Sequence, residues 1–207
     1  AFVDLPRGLK KEERKPPTEE QVAAVKAHPE GFGLCAWLFM YTGCRLGEIL
    51  ALQWQDIDFE RRTVRVRYRE SNTNLARAKN AEYRMALLSN TTFEFLVKYI
   101  SDNRKSLMNS EYLFTKLTGK NKGEPLDADS VYSMLKRLSQ KTDINSHPHQ
   151  LRHYFAEERR KEGWDLNDIR FALGHKKVET TIKYLGENNE RLIEATDQYY
   201  SNNEDLY

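Results

Sequence analysis

Four short segments of the chain carry side chains that could do chemistry, and cationic groups dominate them. The first is TGCRLGE over residues 42–48, where Arg45 closely follows Gly43, a glycine placed to end a helix. A guanidinium at such a turn can project into a cleft and hold a phosphate through two parallel hydrogen bonds. Glu48 lies three residues on and could orient Arg45 from the same helical face. An ordinary surface ion pair would have the same sequence.

The second segment, residues 61–84, holds eight Arg or Lys residues against two Glu. In TVRVRYR, residues 63–69, arginines alternate with Val or Tyr, which predicts a strand with one apolar and one cationic face. A cationic strand face suits phosphate contact, and a solvated strand face is the alternative. The arginines predicted to contact nucleic-acid phosphates are Arg65, Arg67, Arg69 and Arg77.

The third segment is HPHQLRH, residues 147–153, where helical spacing places His149, Arg152 and His153 on one side. Histidine beside arginine suits an oxyanion or phosphate, because both side chains donate hydrogen bonds. A metal site at His147, His149 and His153 lacks a nearby carboxylate, and the arginine would repel the ion. A capping or core histidine is the remaining interpretation.

The fourth segment is LGHKKVETTIKY, residues 173–184, which contains His175 and Tyr184. Taken singly, these suit a capping histidine and a half-buried tyrosine. Taken together, the four segments supply arginines, histidines, a lysine and a tyrosine, with no paired carboxylates and no Gly-rich phosphate loop. Cations without a metal set favour stabilisation of a phosphorane-like transition state. A tyrosine among them could be a covalent nucleophile, since positive charge lowers a phenol pKa.

Hydrophobic periodicity predicts the elements that must position these groups. It indicates helices over residues 18–28, 31–42, 45–54, 91–101, 128–140, 148–162, 165–173 and 178–185. It indicates short strands over residues 57–59, 63–69 and 84–88. We therefore predict an α+β class that is mostly helical, with a small three-stranded antiparallel sheet inserted early among the helices.

Composition bounds the function classes. The chain has 207 residues and a net charge of +2, low for a nucleic-acid-binding domain. That sum averages the basic segment with residues 187–207, which hold six acids and one base, so it does not argue against DNA binding. The longest apolar run, Leu34–Tyr41, is far short of the roughly 20 residues of a membrane span. If one helix carried both Cys35 and Cys44, they would be too far apart for a disulfide, which favours a reducing, cytoplasmic setting.

In order and spacing, three of these segments resemble the motifs of tyrosine recombinases, the phage-integrase family of site-specific DNA recombinases. TGCRLGEILALQWQDID resembles the family's first-arginine box and makes Arg45 the first catalytic arginine. HQLRHYFA resembles the His-x-x-Arg box, with His149 and Arg152. LGHKKVETTIKYL resembles the terminal box, with His175 and the nucleophile Tyr184.

The family's catalytic lysine lies in the turn before the third strand, where this chain has Lys79 in AKNAEYRMALL. Two positions depart from the family pattern. Ala86-Leu87 stands where Pro-Leu is usual, and Tyr154 stands where Thr or Ser is usual. We expect Tyr154 to alter packing behind His149 without removing activity.

The resemblance implies a mechanism that needs no cofactor, metal or ATP. Tyr184 attacks a scissile phosphate, Arg45 and Arg152 hold the non-bridging oxygens, and Lys79 protonates the 5′ leaving oxygen. The family pattern also makes His149 the general acid/base, and has His175 hydrogen-bond the phosphate. Two alternatives remain, namely a type IB topoisomerase-like nicking-closing enzyme and a non-catalytic DNA-binding relative.

The resemblance also divides the chain. Residues 18–186 are the catalytic domain, and residues 1–17 are a linker from a missing upstream DNA-binding domain. Residues 187–207 are expected to be a tail that packs on a neighbouring protomer, and a helix folded back on its own domain is the alternative. The expected partners are double-stranded DNA recombination sites and a homotetramer on DNA, from a protein that is monomeric when free and does not bind membranes.

Overall fold

The computed structural model describes residues 17–27, 38, 41–67, 69, 83–142 and 147–185, without the side chains at 24–26, 138, 141, 142, 179, 183 and 184. Residues 1–16 of the predicted linker and the whole acidic tail lie outside these ranges, as does most of the predicted helix over 31–42. The helices are α1 Glu19–Ala27, α2 Leu46–Leu50, α3 Asn90–Leu107, α4 Ala128–Thr142, α5 Pro148–Lys161, α6 Leu166–Leu173 and α7 Val178–Leu185. The strands are β1 Ile57–Asp58, β2 Thr63–Val66 and β3 Arg84–Leu87. The predicted class is confirmed.

The three strands form one antiparallel sheet in the order β1-β2-β3. Val64 and Val66 are buried and Arg65 is exposed, as the alternation predicts. The strand predicted over 63–69 is too long, because β3 pairs with β2 only from Thr63 to Val66. Beyond that point Arg67 and Arg69 turn towards a buried carboxylate, described below.

Local sequence explains several helix ends. Thr18 and Gln21 form a reciprocal capping box at the start of α1. Asp165 caps α6 by accepting from the backbone N–H of Asn167 at 2.7 Å. Gly174 ends α6 with φ 62°, a left-handed conformation that glycine adopts without a steric penalty.

The helix predicted over 45–54 was wrong at its end, since α2 stops at Leu50 and a 3₁₀ turn follows at Trp54–Asp56. The cause is tertiary. The backbone N–H of Leu113 donates to Leu52 O at 2.8 Å, and that of Trp54 donates to Glu111 O at 3.2 Å. The backbone groups of residues 52–54 therefore form hydrogen bonds with residues 111–113 and are not available for a further helical turn.

Two apolar clusters hold the described part of the chain together. The larger joins α2, the sheet, α3 and α4. The smaller joins α5, α6 and α7 through Phe155, Ile169, Leu173 and Leu185, all under 10% exposed. Burying a side chain of this kind stabilises a fold by about 1.5–3 kcal/mol. The smaller cluster thus holds together the three helices that carry the His-x-x-Arg box and the terminal box. No helix in the described ranges is long and apolar enough to cross a membrane.

Candidate active site

Gly43 brings the first motif against α5. It has φ 62°, and a Cβ there would lie 2.6 Å from Cδ1 of Phe155. A side chain is therefore excluded by both backbone conformation and space. The close approach lets Gly43 O accept a hydrogen bond from Nη1 of Arg152, 109 residues later in the chain. Arg45, two residues beyond, is the N-cap of α2.

Glu48 is the carboxylate of the site, and three guanidinium groups surround it. Arg45 donates to it twice, from the backbone N–H to Oε2 at 2.7 Å and from Nη1 to Oε1 at 2.9 Å. Arg84 Nη2 lies 2.5 Å from Oε2, and Arg152 Nη1 lies 3.9 Å from the same oxygen. Burial by itself would raise the pKa of Glu48, but Arg84, Arg152 and Arg45 together hold that pKa below its usual value.

Arg152 is 2% exposed, which is rare for a charged side chain. Its Nη2 donates to Leu173 O at 2.6 Å and lies 3.1 Å from Nε2 of His175. The other arginines stand nearby, since Arg45 Nη2 donates to Gly174 O at 3.2 Å. We call Arg45, Arg84 and Arg152 the arginine cluster. One carboxylate offsets part of its charge, so the cluster is suited to bind an anion.

His175 lies against the cluster and is 7% exposed. Its Nε2 faces Arg152, and its Nδ1 lies 3.0 Å from Oγ1 of Thr181. Burial lowers the pKa of His175 to about 3, with further lowering by the positive charges of Arg152, Arg45, Arg84 and His149. The imidazole is therefore neutral throughout the physiological pH range.

The three histidines of the third segment have different environments. His149 is exposed in the first turn of α5, and its charge influences His175. His153 is 5% exposed, and burial lowers its pKa to about 4. His147 is the N-cap of the helix. Among the residues that the structure describes, no group of three His, Cys, Asp or Glu side chains could hold a metal ion.

Of the remaining predicted site residues, the structure describes only the backbone of one and does not describe two others. Tyr184 lies on α7, one residue before its end, and its side chain is outside the described part. Lys79 and Arg77 also lie outside the described residues. The cluster therefore brings together Arg45, Arg152, Glu48 and His175, with His149 close enough to influence it and α7 placed beside it.

The arginines predicted to contact DNA divide into two kinds. Arg65 is exposed on β2. Arg67 Nε and Arg69 Nη2 lie 2.9 Å and 2.5 Å from Oδ1 of Asp56, a fully buried carboxylate. Arg69 also donates to Ala51 O at 3.0 Å. The structure thus gives two of these arginines internal partners, and their contact with DNA stays a prediction.

Two residues of the site escaped the sequence analysis. Arg84 entered only as one basic residue among eight, yet its Nη1 lies 3.6 Å from the Cys44 thiol and its Nη2 contacts Glu48. The available signal was strand alternation, since Arg84 is in phase with the buried Ala86 and not with the exposed Met85 and Leu87. Thr181 carried no signal that separates it from an ordinary helical threonine.

Comparison with known proteins decides the family. The model of the phage integrase family matches residues 20–191, most of the chain. The chain belongs to the phage integrase family. It is 35% identical over 147 residues to tyrosine recombinase XerA of Saccharolobus solfataricus, covering 71% of this chain and 43% of that protein. It is 30% identical over 146 residues to transposase A from transposon Tn554 of Staphylococcus aureus, covering 70% and 40%.

The fold agrees with that membership. The Tn1549 transposon integrase, solved in complex with a circular intermediate DNA, superposes with a TM-score of 0.76 at 20% identity, over 93% of this chain and 68% of that one. The predicted tyrosine-recombinase catalytic fold is confirmed. This integrase family member spans less than half the length of the two curated relatives named above.

Proposed function

We propose that this chain is the catalytic domain of a site-specific DNA recombinase, the integrase or transposase of a mobile element. The observation that carries the proposal is the arginine cluster, in which Arg45 and the buried Arg152 converge beside neutral His175. A phosphodiester under nucleophilic attack gains negative charge on its non-bridging oxygens. Fixed guanidinium groups stabilise that charge without reorganising during the reaction.

In the proposed reaction, the Tyr184 oxygen forms a bond to the scissile phosphorus and the bond to the 5′ oxygen breaks. His149 takes the tyrosine proton, and Lys79 gives a proton to the leaving 5′ oxygen. The 3′-phosphotyrosyl linkage conserves the phosphodiester bond, so a 5′-hydroxyl from another strand can reverse the step. Neither a metal nor ATP enters this balance.

The family pattern has His175 hydrogen-bond the phosphate, but in this structure its Nε2 already faces Arg152. The guanidinium of Arg152 has donors only, so the Nε2 of His175 that faces it accepts in the free protein. To hydrogen-bond a phosphate oxygen, that nitrogen would have to carry a proton. We propose that in this chain His175 acts first by orienting Arg152, and that phosphate binding rearranges the pair.

The proposed partners are double-stranded recombination sites and further copies of this chain, assembled as a tetramer on DNA. The acidic tail over residues 187–207 would pack on a neighbouring protomer, and residues 1–17 would lead from an upstream DNA-binding domain. Support comes from charge, because the basic segment 61–84 and the acidic tail suit different partners. We place the protein in the cytoplasm, where its DNA substrate would lie.

The test uses DNA duplexes with the end sequences of the mobile element that carries the gene for this protein. Each duplex has a nick beside the scissile phosphate, so that cleavage leaves the enzyme covalently attached to the DNA. We expect a covalent protein–DNA adduct on a denaturing gel, and none from Tyr184→Phe. Tyr83→Phe, at an exposed tyrosine, is the matched control and should retain the adduct. DNA binding without an adduct from the wild type would favour the non-catalytic relative and overturn the proposal. Relaxation of supercoiled DNA without strand exchange would favour the topoisomerase-like enzyme.

A further inference from the structure

Thr181 is a fully buried polar residue on α7, the helix that carries Tyr184. A buried hydroxyl costs free energy unless it is hydrogen-bonded. Here its Oγ1 lies 3.0 Å from Nδ1 of His175. The hydroxyl therefore belongs to the polar network of the site and not to the apolar cluster, which includes Leu185 at the end of the same helix.

The other side of the imidazole determines which way this hydrogen bond runs. Arg152 can only donate, and its Nη2 is 3.1 Å from Nε2 of His175. Nε2 must then be unprotonated, which in a neutral imidazole leaves the proton on Nδ1. Nδ1–H consequently donates to the Thr181 oxygen. One continuous chain of hydrogen bonds runs from Arg152 through His175 to Thr181, with the proton position assigned at each link.

Helix geometry connects this chain to the nucleophile. Tyr184 follows Thr181 by three residues, which is less than one turn along the backbone of α7. The Thr181 hydroxyl is thus a polar contact that connects α7, the helix carrying the nucleophile, to the arginine cluster through His175. Apolar packing at Leu185 holds α7 in place, but packing is non-directional and does not specify a ring tautomer.

We propose that Thr181 is a positioning residue that holds the His175 ring through Nδ1 and orients the helix carrying Tyr184 towards the arginine cluster. Its hydroxyl accepts from Nδ1–H in the free protein and turns to donate to Nδ1 once phosphate binding places the proton on Nε2. The expected effect of Thr181 on DNA cleavage rests on the proposed function. The expected hydrogen bond between Thr181 and His175 concerns the free protein alone.

The matched variants are Thr181→Val, which keeps the branched shape and removes the hydroxyl, and Thr181→Ser, which keeps the hydroxyl. The first readout is the tautomer of His175, from ¹⁵N-labelled histidine spectra of the free protein at neutral pH, assigned with His175→Gln. We expect Nδ1 protonation in the wild type and in Thr181→Ser. In Thr181→Val, we expect a shift towards the Nε2-protonated form, because Nδ1–H has lost its acceptor.

The second readout is the rate of covalent cleavage on the nicked duplex at saturating DNA. Because the variant loses one hydrogen bond, Thr181→Val should slow cleavage up to about tenfold while DNA affinity stays unchanged. Thr181→Ser should remain within about twofold of the wild type.

Nε2 protonation in the free wild-type protein would overturn the proposal, and so would a Thr181→Val protein with a shifted tautomer and an unchanged cleavage rate. A tautomer that Thr181→Val leaves unchanged would overturn it as well. Absence of any adduct from the wild type would overturn the proposed function instead, and the tautomer measurement would still decide the structural part.

Discussion

Replacing Glu48 with glutamine tests whether one carboxylate holds the arginine cluster together. The variant keeps the size and shape of the side chain and removes its charge. Glu48 and Arg84 are only 15% and 10% exposed, and their charged atoms are 2.5 Å apart. In Glu48→Gln, Arg84 and Arg152 would remain buried near an amide that cannot offset their charge.

The structure sets the size of the effect. Breaking a buried ion pair by removing one partner costs about 3–5 kcal/mol, because the other charge stays uncompensated. The Arg45 pair adds little, since Arg45 is 45% exposed and solvent screens it. We therefore expect Glu48→Gln to lower the free energy of unfolding by about 3 kcal/mol at neutral pH.

The pH dependence has a definite sign. The pKa of Glu48 in the fold is below its ordinary value of 4.5, so its contribution is complete above that value and is lost as pH falls through the lower folded pKa. The gap in unfolding free energy between wild type and Glu48→Gln should therefore narrow as pH falls below 4.5. His175 and His153 are common to both proteins, so their titration cancels in the comparison.

Urea unfolding followed by circular dichroism measures the difference. The matched control is Glu124→Gln, because Glu124 is 56% exposed and its Oε2 lies 3.5 Å from Nζ of Lys116. That change should stay within about 1 kcal/mol of the wild type. A Glu48→Gln protein as stable as the control, or a difference that does not vary with pH, would refute this account of the site.

Two further substitutions and one titration test other parts of the structure. Gly174→Ala should lower Tm by several degrees more than Gly163→Ala. Both glycines have positive φ, but of the two only a Cβ at Gly174 would lie close to another side chain, 2.9 Å from Nε of Arg84. Equal decreases in Tm would contradict that close approach of Gly174 to Arg84. Asp56→Asn should cost about 3 kcal/mol in urea unfolding, since Arg69, only 13% exposed, loses its carboxylate; a loss below about 1 kcal/mol would argue against that pair. The ring proton resonances of His175 should not titrate between pH 5 and 8, because its pKa is about 3, and a midpoint near 6.5 would show that the ring is not buried.

Much of the local structure was predictable because it depends on neighbours in the chain. Helix starts at Thr18 and Asp165 follow from side chains that cap the adjacent backbone. The glycine that ends α6 and the alternation along β2 are likewise local patterns. The motifs around Arg45 could be identified for the same reason, since spacing within a motif is a property of the sequence.

Tertiary structure decided which of these groups meet. Arg45 reaches the carbonyl of Gly174 across 129 residues, and Arg152 reaches that of Gly43 across 109. Those contacts depend on how α5, α6 and α7 pack around one apolar cluster, and periodicity carries no information about the partner of a buried face. For the same reason the sequence did not identify Arg84 and Thr181 as site residues, because their hydrogen-bond partners lie on other elements.

The basic segment illustrates both parts. Its charge and alternation are evident in the sequence and indicate an anion-binding surface. The sequence does not reveal that a buried Asp56 lies within reach of Arg67 and Arg69. A charged side chain takes the strongest partner that packing brings near it. The chain by itself therefore determined which chemical groups are present, and the packing of its helices and sheet determined which charges are offset internally and which converge on an anion site.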